Sequence, residues 1–311
     1  MALVYLFLIL MVVMWSMSFI IVDIAVDFIP PLSLALYRFI IASACFVVLD
    51  IYFKISKKRK NLNENAENKI TSKFSINQWI LIIIASFTGA SLFFFAQYSA
   101  IQLIGPSLPA LFVCLLAPVL IAIFSIFVFD EKLNKSKIIG FIIASLGGFL
   151  LITGGDIRTL SPNSPLFIAL LLSLATPLLW AIYATAIKKA SKSKPNSDIQ
   201  ILKYISYLAT IELLIFVMLN NEFWIFLDNF FHIIIFLSAF YLGFVCYVLG
   251  YYIWQNSQNQ LSSSKVASFL YIEPFLTLLF SFLFQRSETI VLWNIIGGLI
   301  VLMAVILINY K

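Results

Sequence analysis

Residues 116–132 read LAPVLIAIFSIFVFDEK, and residues 272–288 read IEPFLTLLFSFLFQRSE. Each is a proline followed by a mostly apolar run that stops at charge. Proline lacks a backbone donor and crowds the turn before it, so it disturbs a helix wherever it sits in the interior. Inside an apolar helix it is tolerated where other protein groups or a water-lined cavity satisfy the freed backbone, so each proline is read as marking a locally freed backbone at mid-membrane depth. Two copies of so unusual a feature point to a repeated architecture.

The repeat extends outward from the prolines. Residues 98–118, YSAIQLIGPSLPALFVCLLAP, match 254–274, WQNSQNQLSSSKVASFLYIEP, over equal lengths. Beyond the prolines, one extra residue sets Glu131 opposite Glu288, and Gly140 in KSKIIG then falls opposite Gly297 in LWNIIG. Earlier in each half, WSMSF at 15–19 stands opposite WAIYA at 180–184. The chain therefore divides into two halves, 1–155 and 156–311.

Composition names the solvent. Of 311 residues, 62% are hydrophobic and 11% charged, with a mean hydropathy of +1.04. A soluble domain carries roughly a quarter charged residues. Ten apolar segments are legible, at about 2–22, 31–53, 76–96, 107–129, 138–155, 165–187, 200–219, 233–255, 265–284 and 290–309. Runs of about twenty residues suit helices rather than the ten-residue alternating strands of a membrane barrel. The first has no basic leader and no small-residue cleavage pattern, so it is read as a permanent helix and not a signal peptide. With five segments per half, the second half enters the bilayer from the opposite side. The expected fold is an all-α integral membrane protein of ten transmembrane helices in two inverted five-helix repeats. Such repeats are a transporter architecture, with the substrate site near the midplane between the halves.

Lysine and arginine orient the chain, because they gather in cytoplasmic loops. With the N-terminus inside, seventeen of the twenty basic residues lie on the cytoplasmic side, against Arg158 and Arg286 opposite and Arg38 within a span. Both termini are expected in the cytoplasm and the protein in the cell's inner membrane. The run KISKKRK at 54–60 is then a topogenic signal beside anionic lipid, not a nucleic-acid patch. Residues 57–73 form the one stretch polar enough for a flexible loop. Cys45, Cys114 and Cys246 all fall within apolar runs and read as packing residues.

As a set, these features resemble the EamA family of the drug/metabolite transporter superfamily, over nearly the whole chain. The carrying residues are Trp15 and Trp180 leading each half, the Pro31-to-Phe39 pattern of Pro-x-x-x-x-aromatic-Arg-Phe, the Pro118…Glu131 and Pro274…Glu288 helices, and the following helix with Gly147 and Gly148. The resemblance implies ten helices, cytoplasmic termini and alternating-access transport of small metabolites, amino acids or their relatives being typical. The second half departs from the pattern in QRSE at 285–288 and in Gln255 and Asn256.

Candidate site residues follow from depth. Trp15 and Trp180 lie a similar distance past the centres of their helices toward opposite sides, as a two-fold axis in the membrane plane requires. They are expected to face one central cavity with Tyr183, Tyr247, Tyr251 and Tyr271, whose rings would bind an apolar or aromatic solute while N–H and O–H groups orient it. Lipid-facing packing is the alternative. Glu273, an acid beside Pro274 near mid-bilayer, could bind a substrate amine, relay a proton or satisfy freed backbone. Glu212 shows no partner in sequence. Arg38 reads as an arginine reaching to the outer interface or holding a neighbouring helix, ahead of a substrate anion partner. Glu131 and Glu288 read as structural, and the single histidine, His232, as interfacial.

The leading function is secondary active transport of small organic metabolites, amino acids or related solutes, by export, with proton coupling open. Carriage of nucleotide-sugars or other anionic metabolites is the alternative, and a non-transport scaffold the third. With no metal-ligand spacing and no nucleophile–base set, neither catalysis nor a cofactor or metal is expected. The expected partners are the solute and the lipid bilayer.

Overall fold

The computed structural model describes residues 2–59, 74–129, 135–193, 197–261, 266, 268–286 and 290–309, and among these no strand occurs. Helices satisfy every backbone group internally, which is why a chain this apolar is built from them. Helix α1 spans Ala2–Ala25 and α2 spans Pro31–Arg59, opening on a proline whose missing N–H costs nothing in a first turn. The third apolar body comprises α3 (Ile76–Ser86), a π-helical segment Phe87–Leu92 and α4 (Phe93–Ile104). A reciprocal capping box between Ser75 and Gln78 starts it, and Gly105, at φ 79°, ends it. Then come α5 (Ser107–Phe129), α6 (Lys135–Thr153), α7 (Phe167–Ser193) and α8 (Asp198–Leu219). A short α9 (Phe223–Asp228) leads to α10 (Ile233–Phe240), a second π-helical segment Tyr241–Tyr251 and α11 (Tyr252–Gln260). A 3₁₀ turn Ser268–Ile272 runs into α12 (Glu273–Leu283), and α13 (Leu292–Asn309) closes the described chain.

Among the described residues, six helical bodies are long and apolar enough to cross a membrane: Leu3–Ala25, Pro31–Tyr52, Ile76–Ile104, Phe167–Ser193, Asp198–Leu219 and Ile233–Gln260. Four shorter apolar stretches lie at Ser107–Ile121, Ile142–Leu151, Phe269–Leu283 and Leu292–Ala304. Their outward faces are apolar too: Leu6, Ile168 and Leu292 are all well exposed. A helix apolar on every side belongs in lipid or in a core.

Packing is reciprocal between the halves. Helix α1 lies against the 233–260 body and α12, while α7 lies against the 76–104 body and α5. Helix α2 packs on α8, and α6 on α13. When the two halves are swapped, the α1 and α7 partnerships exchange and the α2–α8 and α6–α13 pairs map onto themselves.

The two prolines that raised the question differ in structure. Pro118 sits inside α5. Pro274 stands in the first turn of α12, where no intrahelical donor is lost. The expectation of a mid-helix proline in both halves is thus corrected for Pro274: the helix restarts there, after the 3₁₀ turn. Five segments run past their expected ends, to Ala25, Arg59, Ile104, Ser193 and Gln260. Of the loop expected at 57–73, residues 57–59 instead end α2, and 60–73, like Glu131 and Glu288, lie outside the described residues.

Polar contacts tie the helix ends. Arg286 donates from Nε to Asp23 and from Nη2 to Asp27 at 2.9 Å. Lys203 pairs with Asp50 at 2.9 Å, joining α8 to α2. The 220–232 hairpin folds over the start of α2, where Tyr37 stacks on Phe230 with centroids 4.6 Å apart and donates to its carbonyl at 2.5 Å. His232 stacks on Phe28 at 5.2 Å.

Candidate functional site

A small cavity of about 50 Å³ lies between the halves. Helix α1 supplies Trp15, Ser18 and Phe19, α4 supplies Phe93, Phe94 and Gln97, and α5 supplies Val113 and Cys114. Across from them stand Trp180 of α7, Cys246 and Tyr251 of the second π segment, and Leu270 and Glu273. Arg38 of α2 completes the wall and is the one basic residue in it.

Trp15 and Trp180 meet edge to face, centroids 5.8 Å apart at 87°. Tyr251 lies 5.4 Å from Trp15 and 5.6 Å from Trp180. These are the separations at which ring quadrupoles attract. Gly250 makes room for the cluster, since a Cβ there would fall 2.5 Å from Trp15 Nε1. The other half repeats the device: a Cβ on Gly89, in the first π segment, would fall 2.0 Å from Tyr183 Cδ2. Each third body therefore seats, on a glycine, an aromatic from the first helix of the opposite half.

The indole N–H groups differ. Trp15 Nε1 donates to Cys246 O at 3.1 Å, so it fastens α1 to the widened turn. Trp180 Nε1 is buried without a partner. Of the remaining aromatic candidates, Tyr183 and Tyr247 stand behind the wall, packed on Tyr251 at 5.7 and 4.6 Å. Tyr247 spends its hydroxyl on Leu202 O at 3.0 Å. Tyr271 does not line the cavity; its ring packs in a separate cluster with Leu108, Phe112 and Leu170.

Glu273 is 4% exposed. Its backbone carbonyl accepts Ser16 Oγ at 3.1 Å and Thr277 Oγ1 at 3.0 Å, and the Cys114 thiol donates to its carboxyl group. Glu212 faces elsewhere. Its Oε2 accepts Ser86 Oγ at 3.0 Å and Ser91 Oγ at 2.5 Å, one serine just before the first π segment and one within it.

Arg38 corrects the expectation of an arginine reaching to the interface. It is 2% exposed, donating to Tyr98 Oη at 2.5 Å and to Leu242 O at 2.9 Å, in the second π segment. It does hold a neighbouring helix. Sequence reasoning missed the π segments altogether, and with them the anchor that holds Arg38 inward at Leu242 O. In both halves a π segment is braced by a charged residue of the other half's second long helix, Arg38 or Glu212. Such widened turns recur at functional sites.

A family model describing the EamA-like transporter family matches residues 2–153 and again 167–310. The chain belongs to the EamA-like transporter family. It is therefore a multi-pass membrane protein, and the two matches fall on the two halves. A relative from Archaeoglobus fulgidus, described as an uncharacterized transporter, is 24% identical over 313 residues, covering 99% of this chain and 97% of its own. The uncharacterized transporter YyaM of Bacillus subtilis is 24% identical over 281 residues, covering 90% of this chain and 85% of its own. A solved crystal structure superposes with a TM-score of 0.63 at 15% identity, covering 99% of this chain and 98% of that one, and shares the fold.

Proposed function

We infer that this EamA-like protein is a secondary active transporter that moves small organic metabolites, amino acids or related solutes, outward across the cell's inner membrane by alternating access. The observation that carries this reading is the shared cavity. Its walls come from both halves, and the packing around it is reciprocal, which supports ten spans in two inverted five-helix repeats, 1–155 and 156–311, with both termini cytoplasmic. A cavity with six aromatic rings in its wall, one acid and one guanidinium suits a small amphipathic solute. Membership of a transporter family favours carriage over catalysis. Carriage of nucleotide-sugars or phosphate esters would call for several cations facing the solute, and the wall offers one. Proton coupling through Glu273 fits this reading.

The decisive assay is counterflow in proteoliposomes with a panel of amino acids and related metabolites. Saturable exchange of at least one is expected, and a passive, unsaturable leak of all of them would replace the carrier with a pore. Single-cysteine labelling tests the orientation in a background free of the three native thiols. Positions within 57–73 and 188–199 are expected to label from the cytoplasm, and 156–164 and 220–230 from outside. Outside labelling of 57–73 would end the inverted arrangement.

A further inference from the structure

The contacts of Arg38 account for only part of its charge. Tyr98 Oη and Leu242 O take one hydrogen bond each from its terminal nitrogens, and the Phe94 ring covers Cζ at 3.8 Å. Its Nε is buried with no partner. Among the described residues, the ion pairs involve Arg158, Lys203 and Arg286, and no carboxylate stands at ion-pair distance from Arg38. A buried cation served only by neutral groups is expensive, and an anion brought beside it relieves that cost. The same wall carries a second donor without an acceptor, Trp180 Nε1. Glu273 lines the same cavity yet does not pair with Arg38, so an acid and a guanidinium share one space without forming an ion pair.

We propose that Arg38 is the specificity-determining residue that reads an anionic group on the solute, a carboxylate, with the Trp180 indole N–H as a further donor and Glu273 facing the solute's amine. A guanidinium presents donors in a planar fork that matches a carboxylate. A phosphate dianion suits the site poorly, because Arg38 is the one cation in the wall and Glu273 would repel the second charge. Phe94 and Tyr98 hold the guanidinium in place, so little order must be gained when the solute arrives. This assignment rests on the transporter reading of the cavity and adds the group by which that cavity selects.

The test uses the purified full-length chain and four probes: phenylalanine, phenylalaninamide, hydrocinnamate and phenyl phosphate. Apparent affinities are read from ligand-dependent melting. Phenylalanine is expected to bind best and hydrocinnamate measurably, with the amide and phenyl phosphate weaker than both. Arg38→Gln should weaken phenylalanine about tenfold and erase its advantage over the amide. Arg38→Lys should keep that advantage at lower affinity. Equal binding of phenylalanine and its amide to the unmodified chain overturns the assignment, as does failure of both carboxylates to bind. So does an Arg38→Gln loss that is the same for acid and amide, which marks a purely structural arginine. Should Arg38→Gln not fold, the acid–amide comparison in the unmodified chain and in Arg38→Lys decides alone. The expected binding pattern without flux in liposomes removes the carrier reading and leaves Arg38 assigned; flux without a carboxylate preference does the reverse.

Discussion

Gly243→Val should abolish the folded protein. A Cβ at this position would fall 2.4 Å from Arg38 O, 3.2 Å from Ile41 Cβ and 3.3 Å from Ala42 N. Two of those three atoms are backbone of α2, so no side-chain rotation relieves the clash. In a bilayer, helices associate through close packing and interhelical hydrogen bonds rather than through hydrophobicity, and small residues permit that approach. Pushing α2 away from the widened turn would also stretch the bond from Arg38 Nη2 to Leu242 O. The combined loss is expected at about 3 kcal/mol or more, read as a collapse of the monodisperse peak and of the melting transition in detergent. Gly148→Ala is the control. Its new Cβ would meet only Leu116 Cδ2, at 3.5 Å, an ordinary contact, and should leave melting unchanged. A Gly243→Val protein that melts like the parent would mean that α2 does not approach the π segment this closely.

Much of the helical layout was legible because apolar length and basic residues are properties of composition along the chain. The repeat showed itself through residues that tolerate few neighbours: tryptophan at Trp15 and Trp180, proline at Pro118 and Pro274. The π segments were not legible, for a physical reason. A π turn inserts one residue and slips the helical phase, and in an amphipathic helix that slip would displace the polar stripe. The bodies at 76–104 and 233–260 are apolar on nearly every side through their widened turns, so there is no stripe to slip. The same blindness hid the partners of Glu212, since Ser86 and Ser91 become neighbours of one carboxylate only once the turn between them is widened. Arg38 was visible as a mid-span charge, but its direction was not. An arginine can extend toward headgroups or fold inward, and the choice is made by Tyr98 and Leu242, both remote in sequence. Tyr271 shows the limit of depth as a guide. It neighbours Glu273 in sequence and depth, yet the 3₁₀ turn before Pro274 rotates it into another cluster.

Glu273→Gln and Glu212→Gln should separate a cavity acid from a bracing one. Sequence alone ranks Glu273 above Glu212 by its depth and its neighbour Pro274. Glu212 has two hydroxyl donors on one oxygen, Ser86 at the start of the first π segment and Ser91 within it. An amide keeps the shape and one acceptor oxygen, so Glu212→Gln should lower stability by about 1 kcal/mol while transport persists. Glu273 stands on the wall, with its carboxyl facing the Cys114 thiol and no cation at ion-pair distance among the described residues. Its backbone, not its side chain, carries the ties to Ser16 and Thr277, so the amide should leave the α1–α12 contact intact. What the substitution removes is a negative charge available to a solute amine or a proton. Losing a charge-assisted bond costs about 1.5–3 kcal/mol, so flux should fall about ten- to a hundredfold at unchanged expression and melting. Flux is measured in liposomes at matched protein density, with the solute that gives counterflow in the parent. Equal and near-parental activity in both variants would make Glu273 a structural acid. A Glu212→Gln loss larger than that of Glu273→Gln would instead place the working carboxylate beside the first widened turn.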